Sequence, residues 1–269
     1  MKKGRSVIIV GALSSIGQAL SREWAENGWQ VYGTYYKNKK QSEKFKDSKT
    51  SLVYCDLSND LSVESACLEL KKLCPVWDAL VLCPASLEPI GLFGDVNIDH
   101  WKNSVELNFV NQIKIVHLLL PSRRKDVSLG PCVIFFSGGG INEVTTNYSA
   151  YTISKIATIK MAEILDMEVP DTRFVSLGPG WVDTKIHKQT IKAGSKAGQN
   201  YERTIKKIKS NDFTPMNLII ECCNWIINSP KKVISGRNIN IVYDDWRNSR
   251  FSKQLIKDHN LLKLRKNIL

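Results

Sequence analysis

Short apolar runs alternate with longer stretches of helical periodicity along most of the chain. Several of the runs, such as Val-Ile-Ile-Val at 7–10, are rich in β-branched residues, which is typical of buried parallel strands. We predict helices between them, including 98–120 and 150–168, and strands at 6–10, 30–35, 51–55, 79–83, 132–136, 173–177 and 238–242. The alternation predicts the α/β class: a doubly wound sheet of about seven parallel strands with helices on both faces.

The length of 269 residues is enough for one large core, and α/β sheets of this size often form one domain. We predict a single domain over 1–269, with a basic segment at about 185–212 and a C-terminal tail at about 246–269. Within the tail, 251–266 has the pattern of an amphipathic helix that covers a sheet edge or joins a subunit contact. No apolar stretch reaches about 18 residues, so no membrane span is predicted.

The chain has seven cysteines, an odd number without the spacing of metal ligands. Reduced thiols in the core of a cytoplasmic protein explain them most simply. We therefore predict a cytoplasmic protein that holds no metal.

A turn that contains glycine follows the first predicted strand. The turn, Gly11-Ala12-Leu13-Ser14-Ser15-Ile16-Gly17, runs into a helical pattern that continues to about Asn27 and is closed by Gly28. A strand, a glycine turn and a helix start aim backbone N–H groups at a phosphate. The spacing differs from the dinucleotide fingerprint G-x-G-x-x-G, so a plain β-to-α turn is the alternative interpretation.

A tyrosine and a lysine lie four residues apart, as Tyr151 and Lys155, within a predicted helix. Residues i and i+4 share one helix face, so the ammonium can lie beside the phenol. A positive charge there would lower the phenol pKa from about 10 toward the range of a general acid or base. Such a pair can move a proton to or from a carbonyl or alcohol oxygen, and Ser137 could hydrogen-bond the same oxygen. The bare Tyr-x-x-x-Lys spacing also occurs on solvated helix faces.

Further motifs follow in order: Cys55-Asp56-Leu57, Asn108 in Val-Glu-Leu-Asn-Phe, and Gly178-Pro179-Gly180-Trp181-Val182-Asp183-Thr184. Together with the turn and the Tyr-Lys pair, they resemble the short-chain dehydrogenase/reductase family from residue 5 to about 245. The resemblance implies a single Rossmann-type domain that catalyses reversible hydride transfer between NAD(P)(H) and a carbonyl or alcohol carbon. It implies the catalytic residues Tyr151, Lys155, Ser137 and Asn108. The implied cofactor contacts are Gly11, Leu13, Ser14, Ser15, Ile16, Gly17, Tyr36, Lys37, Asp56, Leu57, Cys83, Pro84, Ala85, Tyr151, Lys155, Pro179, Gly180, Val182 and Thr184.

The resemblance also implies a role for each catalytic residue. Tyr151 would transfer the proton, while Lys155 would lower the pKa of Tyr151 and bind the nicotinamide ribose. Ser137 would hold the substrate oxygen, and Asn108 would support a water beside Lys155. The helices at 98–120 and 150–168 correspond to the pair that forms a four-helix contact in this family, which implies a homodimer or homotetramer.

Three departures from the family pattern stand out. Ser15 replaces the middle glycine of the loop, Cys83-Pro84-Ala85 lies where Asn-Asn-Ala-Gly is usual, and Ser137 lies 14 residues before Tyr151. An alignment that is shorter by one residue would leave the serine position without a hydroxyl. Ser15 and the altered Leu82-Cys83-Pro84-Ala85 region motivate an alternative, a dinucleotide-sensing or scaffold protein that keeps the fold without the chemistry.

The end of the second strand bears on the choice of cofactor. An acid there would bind the ribose 2′-hydroxyl of NAD, whereas a basic side chain accommodates the 2′-phosphate of NADP. No acid occurs between Tyr36 and Glu43, but Lys37, Lys39 and Lys40 do. We therefore predict NADP rather than NAD.

The net charge of +12 arises entirely in the last third of the chain. Residues 185–209 carry eight lysines and arginines against one acid, Glu202. A basic segment over the cleft would draw in an anionic ligand. We predict an anionic small-molecule substrate, such as a nucleotide-linked sugar, held by Lys185, Lys188 and Lys192.

Other interpretations of the basic segment stay open. It would equally suit a solvated loop, or an enzyme for lipid or acyl-carrier substrates if an apolar pocket lay beyond Tyr151. Nucleic-acid binding is not predicted, because no stacking aromatics interleave with the lysines. Residues 243–247 and 262–266 resemble tails of family members from bacterial surface-polysaccharide and nucleotide-sugar pathways.

Overall fold

The computed structural model describes residues 4–37, 42, 45, 49–140 and 143–266. Within them, seven parallel strands form one sheet in the order β3-β2-β1-β4-β5-β6-β7. The strands are β1 Ser6–Val10, β2 Gln30–Tyr35, β3 Thr50–Tyr54, β4 Ala79–Leu82, β5 Cys132–Phe136, β6 Arg173–Gly178 and β7 Arg237–Asn240. The predicted α/β sheet of seven parallel strands is confirmed, and the strand order reverses at β1 and β4, where open α/β sheets bind their ligands.

Helices connect the strands on both faces of the sheet. They are α1 Ser15–Glu26, α2 Asp60–Leu73, α3 Ile98–Val105, α4 Asn111–Leu119, α5 Ser149–Glu168, α6 Ile186–Ala193, α7 Gln199–Ser210, α8 Met216–Asn228, α9 Lys231–Ile234 and α10 Ser249–Lys257. A π-helical turn, Glu106–Val110, joins α3 to α4, and a 3-10 turn, Gly194–Ala197, joins α6 to α7. None of the described helices combines the length and apolarity that crossing a membrane requires.

The side chains of β1 show why its sequence is continuously apolar. Val7 and Ile9 belong to the core layer that α1, α8 and α10 cover. Ile8 and Val10 belong to the layer on the other face, beneath α2, α4 and α5. Since successive strand side chains point to opposite faces, a strand that is buried on both faces needs an apolar residue at every position.

Two predicted boundaries near the candidate site differ from the structure. The helix predicted over 98–120 is interrupted by the π-helical turn at 106–110. The last strand ends at Asn240 instead of residue 242, because Asn240 Oδ1 accepts the N–H groups of Val242 and Tyr243 and turns the chain.

The helix predicted over 251–266 is also wrong in length, since α10 ends at Lys257. Asp258 Oδ1 accepts the N–H of Asn260 (2.8 Å) and thereby starts a turn. The buried Arg237 guanidinium donates to the carbonyl of Leu255 at the helix end. Beyond the turn, the N–H of Asn238 in β7 donates to the carbonyl of Leu262 (2.9 Å). The tail therefore covers the β7 edge of the sheet, which was one of the two predicted alternatives.

Candidate functional site

The turn between β1 and α1 is held by two glycines and a serine. Gly11 has φ +73°, and its N–H donates to Thr34 Oγ1 (2.9 Å). Ser14 Oγ accepts the N–H of Gly17 (3.1 Å) and caps α1. A Cβ on Gly17 would overlap the carbonyl oxygen of Gly11. Backbone segments therefore approach each other here as closely as glycine allows.

The start of α1 is suited to a phosphate. The N–H groups of a first helical turn have no intrahelical acceptor. Because Ser14 takes up that of Gly17, those of Ser15 and Ile16 face the same end of the helix as its positive dipole. Ser15 is partly exposed at this end. Leu13 packs against the core layer above it, which fixes the turn to the sheet.

Aromatic and charged side chains gather at the ends of β2 and β3. The rings of Tyr36 and Tyr54 are 44% and 48% exposed, and their centroids lie 6.3 Å apart. Lys37 Nζ lies 4.7 Å from the centroid of the Tyr36 ring. Hydrogen bonding to Tyr36 raises the pKa of Lys37, and the charge of Asp56 adds to this. The ammonium is thus held charged at this corner, while Lys39 and Lys40 lie outside the described residues.

The loop after β4 contains Cys83, Pro84 and Ala85, the departure from the family pattern. Pro84 packs on the first glycine, since a Cβ on Gly11 would lie 2.8 Å from Pro84 Cγ. Burial raises the pKa of the Cys83 thiol to about 12, although Ser14 hydrogen-bonds to it. Cys83 is therefore a neutral thiol at neutral pH, and Ala85 follows as a partly buried link to Ser86.

Three side-chain amides tie the loops after β3 and β4 to one helical turn. Asn108, which is fully buried in the π-helical turn, accepts the N–H of Ser86 (2.9 Å) and donates to its carbonyl (2.9 Å). Asn111 donates to the carbonyl of Leu57 (2.9 Å), which follows Asp56. Gln112 donates to the carbonyl of Pro84 (2.9 Å). The hydrogen bonds of the Asn108 side chain therefore position a loop and are not made to Lys155.

Sequence reasoning did not identify Asn111 and Gln112. The available signal was two adjacent amides inside the apolar helical run from Leu107 to Leu120. Both side chains are almost fully buried, and a buried amide requires hydrogen-bond partners. In a helix that packs against strand ends, those partners are the loop carbonyls.

The structure brings Tyr151 and Lys155 together on one face of α5. Lys155 Nζ lies 5.8 Å from the centroid of the Tyr151 ring and donates to the carbonyl of Phe136 (2.8 Å) at the end of β5. Only 2% of Lys155 is exposed. Burial lowers the pKa of Lys155 to about 8, against a weaker opposing effect of Cys83.

The predicted lowering of the Tyr151 pKa is wrong for this structure. Burial raises the pKa of Tyr151 to about 12. The ammonium of Lys155 is itself desolvated and is directed to the Phe136 carbonyl, so it does not outweigh the cost of burying a phenolate. At neutral pH the pair consists of a protonated phenol beside a lysine close to its own pKa.

Gly138 contacts the tyrosine more closely than Ser137 does. A Cβ on Gly138 would overlap Tyr151 Oη and lie 2.9 Å from Cε1 and Cζ of the same ring. Ser137 is buried, and its Oγ has no hydrogen-bond partner within the described residues. That hydroxyl lies beside Gly178 at the end of β6, 3.3 Å from where a Cβ of Gly178 would be. The structure thus brings Ser137 to the same strand-end rim but leaves its hydroxyl unbonded to Tyr151.

The segment after β6 lies across the same rim. Gly180 has φ +73° and packs against Thr214, and Val182 is buried in the core. His187 Nε2 hydrogen-bonds to the carbonyl of Val182 (2.8 Å), and the His187 ring stacks on Trp181 at 5.2 Å. Pro179 and Thr184, which the family pattern assigns to the cofactor, are part of this fixed segment and are partly buried.

The helices α6 and α7 present different chemistry on their two faces. The inner face of α6 includes Ile186, Thr190 and Ala193, of which Thr190 is buried against Tyr148. The predicted substrate-binding lysines, Lys185, Lys188 and Lys192, are exposed. Lys188 and Lys192 lie on the outer face because they fall between the inward positions of the helix, and Lys185 precedes the helix. The structure therefore does not bring these lysines toward Tyr151.

An apolar cluster packs against Tyr151. It contains the buried residues Leu87, Ile90, Tyr148 and Ala197, with Tyr151, Ile186, Ala193 and Tyr201 packed against it. Gln189 fastens α6 to this cluster, since its side chain accepts the N–H of Leu87 (2.8 Å) and donates to Ser86 Oγ (3.0 Å). Apolar side chains therefore border Tyr151 here, whereas Lys185, Lys188 and Lys192 are exposed.

Residues 11–241 match the family model described as enoyl-(acyl carrier protein) reductase. One similar protein is an uncharacterised oxidoreductase of Schizosaccharomyces pombe, 33% identical over 125 residues, which are 46% of this chain and 48% of that protein. Another is the 3-dehydrosphinganine reductase of Danio rerio, 30% identical over 177 residues, which are 62% of this chain and 52% of that protein. The matches thus span about half the length of these two relatives.

Solved structures share the fold. A crystal structure of a short-chain dehydrogenase/reductase from Saccharomyces cerevisiae superimposes with a TM-score of 0.75 at 19% identity, covering 93% of this chain and 99% of that one. At this identity the likeness concerns the fold alone.

Proposed function

Since the chain belongs to the short-chain dehydrogenase/reductase family of NAD(P)-dependent oxidoreductases, we propose that it transfers a hydride between a nicotinamide cofactor and a carbonyl or alcohol carbon. The observation that carries the proposal is the buried Tyr151–Lys155 pair at the rim where the strand ends and the α1 start converge. The intact pair favours an enzyme over the sensor or scaffold alternative, because a sensor needs no proton donor.

The residues at the rim suit a nicotinamide dinucleotide. Gly11 and Gly17 pack so tightly that a Cβ would meet protein atoms, and this close turn places the start of α1 where a pyrophosphate would bind. The N–H groups at the start of α1 supply its anion contacts. The buried, unpaired hydroxyl of Ser137 leaves a donor free on the substrate side. When bound, the nicotinamide ring supplies or accepts the hydride.

We propose that Tyr151 is the proton donor in the reductive direction. With its pKa raised to about 12, Tyr151 Oη carries its proton at neutral pH and can donate it to a substrate carbonyl oxygen. Lys155 holds a positive charge close to the oxygen as the phenol loses its proton. Ser137 donates a hydrogen bond to the same oxygen, and Asn108 fixes the loop at Ser86 that borders the cleft.

NADP is the proposed cofactor, and Lys37 supports it. Its ammonium lies over Tyr36 at the end of β2, where the ribose 2′-phosphate would be bound. Tyr36 and Tyr54 offer half-exposed rings for the adenine. Asp56, whose side chain accepts the N–H of Ser58 (2.9 Å), borders the same corner.

We propose an apolar or acyl ketone as the substrate class, because the apolar cluster around Tyr151 faces the entering group. A nucleotide-linked sugar is the competing hypothesis. Its support is the excess of lysines in 185–209, and the outward position of Lys188 and Lys192 counts against it. If the protein reduces ketones without a sugar nucleotide and is inactive on nucleotide sugars, the ketone hypothesis is correct.

The assembly and compartment are part of the proposal. Large apolar side chains are exposed on the two helical segments that pair in family dimers, and these are Ile98, Val110, Ile153 and Ile164. A second copy of the chain would cover these side chains, which supports a homodimer or homotetramer. All seven cysteines are free thiols, which supports a reducing compartment such as the cytoplasm.

The test is a Tyr151→Phe variant, which removes one oxygen and keeps the ring. We expect kcat for ketone reduction to fall by about 100-fold or more, the usual contribution of a positioned acid. NADPH affinity, measured by fluorescence titration, should stay within about twofold, because hydride and phosphate contacts are untouched. Tyr243→Phe, at a tyrosine that is 85% exposed, is the control. Unchanged kcat in Tyr151→Phe would contradict the proposed role.

A further inference from the structure

A cavity of about 900 Å³ lies between three segments, 89–97, 144–147 and 195–203. Neither Tyr151 nor Lys155 is among the residues that line it. It is nevertheless adjacent to the apolar cluster, because Ile90 belongs to both and Asn147 precedes Tyr148. The cavity thus borders the apolar cluster that packs against Tyr151.

Hydrogen bonds between the three segments hold the cavity open. The N–H of Gly91 donates to the carbonyl of Asn147 (2.9 Å). The Asn147 side chain donates to the carbonyl of Lys196 (3.0 Å), and Asn200 donates to the carbonyl of Thr146 (2.9 Å). Asn147 has φ +67°, a conformation that asparagine adopts more readily than most residues. These bonds fix the walls before any ligand enters, which lowers the ordering cost of binding.

The lining combines an apolar wall with two cations. Ile90, Leu92, Val96 and Val144 supply the apolar part. Lys196 and Arg203 supply the cations, and they form no ion pair within the part of the chain that the structure describes. Among the described residues of the lining, Asp95 is the single acid. A ligand with an apolar chain and an anionic end would match this distribution.

We propose that this cavity binds the distal part of the substrate, an apolar chain that ends in a carboxylate or phosphate, with the anion against Lys196 and Arg203. The inference rests on the proposed ketone reductase function and names its substrate more closely. The reacting carbonyl lies at Tyr151, the chain passes Ile90, and the charged end reaches the outer rim.

The same segment contains its own control. Lys188 and Lys192 carry the same charge on the outer face of α6 and do not line the cavity. If anions were attracted only by the overall positive field, neutralising either pair would have the same effect. If the cavity is the site, only the pair that lines it, Lys196 and Arg203 (the inner pair), affects binding.

The first experiment measures KM with paired linear ketones of equal length, one ending in a carboxylate and the other in its methyl ester. For the wild-type protein we expect a KM about tenfold lower for the acid than for the ester, equivalent to about 1.4 kcal/mol. The double variant Lys196→Gln/Arg203→Gln should lose this preference. The double variant Lys188→Gln/Lys192→Gln should keep it. Equal KM for acid and ester in the wild type, or equal losses in both variants, would overturn the inference.

A second measurement does not depend on turnover. Calorimetric titration with decanoate, decyl phosphate and decanol compares a carboxylate, a phosphate and a neutral head group on the same chain. We expect one or both anions to bind about tenfold more tightly than decanol, and the inner-pair variant to abolish the difference. The anion that binds more tightly shows whether the charged end of the substrate is a carboxylate or a phosphate.

The two measurements separate the failure of the inference from that of the proposed function. If no ketone is reduced but the inner cations still select the anionic probes, the proposed function fails and the site stands. If ketones are reduced but anionic and neutral probes bind alike, the site fails and the reductase stands.

Discussion

The β1–α1 turn and the segment 185–209 were both predicted to meet an anion, and they offer different groups for it. At the turn, the anion-binding groups are backbone N–H groups whose direction is set by a glycine cradle and a serine cap. In the segment, they are lysine side chains, most of which extend from exposed helix positions. Backbone groups have one orientation once the turn forms, whereas a charge run leaves open which face of the helix meets the cleft. The packing of a helix therefore decides which of its side chains meet the cleft, and the positions of the lysines along the sequence do not reveal it.

The largest effect is expected from a substitution at Gly138, where the backbone of the loop after β5 contacts Tyr151. An alanine there would place its Cβ on Tyr151 Oη, so the phenol must move out of its position. We expect Gly138→Ala to lower kcat by about 100-fold, because a misplaced proton donor loses most of its contribution.

Gly139→Ala is the matched control for Gly138→Ala. Apart from its chain neighbours, no described atom lies within 4 Å of a Cβ at Gly139, and we expect its kcat to stay within about twofold of the wild type. Circular dichroism of both variants checks that the fold is retained. Equal kcat values in the two variants would show that contact with Gly138 does not position the tyrosine.

The pH dependence of reduction tests a buried cation, Lys155, in contrast to the exposed lysines of the segment 185–209. Lys155 has a pKa lowered to about 8 and Tyr151 a pKa raised to about 12. As pH rises through about 8, the lysine loses its charge while the phenol keeps its proton. We expect kcat/KM for ketone reduction to be level below about pH 8 and to fall by up to about tenfold per pH unit above it.

The comparison protein for the pH profile is Lys155→Met, which removes the charge at every pH. Its rate should be low and should lack the limb near pH 8. A wild-type rate that rises with pH through this range would contradict the assignment, since it would require the deprotonated form of one of the two groups.

A smaller effect is expected at the cofactor corner, where Lys37 is an exposed side chain on a fixed strand end. Replacing it with glutamine removes its charge beside the ribose. We expect the dissociation constant of NADPH to rise by about five- to tenfold and that of NADH to change by less than about twofold. Fluorescence titration with both cofactors measures this, and equal changes would remove the basis for proposing NADP.

The structure also shows what could be predicted from the sequence and what could not. The central strands were predictable because they are buried on both faces, which requires a continuous apolar run such as Val7–Val10. The pairing of Tyr151 with Lys155 followed from helix spacing alone. Their pKa values did not follow, because desolvation depends on neighbours that are distant in sequence, such as Phe136 and Cys83.

The remaining differences have similar physical causes. The close approach of Gly138 to Tyr151 depends on how the loop after β5 meets α5, and sequence spacing constrained this only to within one residue. The outward direction of Lys188 and Lys192 depends on which face of α6 meets the apolar cluster. The roles of Asn111 and Gln112 required knowledge of which strand ends lie beside α4.

The π-helical turn that carries Asn108, together with Asn111 and Gln112 just beyond it, fastens the loops of two neighbouring strands. One of these loops borders the corner proposed for the adenosine, and the other borders the side proposed for the substrate. The two cannot diverge independently during evolution, because a change in this short stretch of helix alters both. Selection for a new substrate would therefore also change cofactor affinity. Lineages whose substrate specificity has changed should carry compensating substitutions in the loop that borders the cofactor.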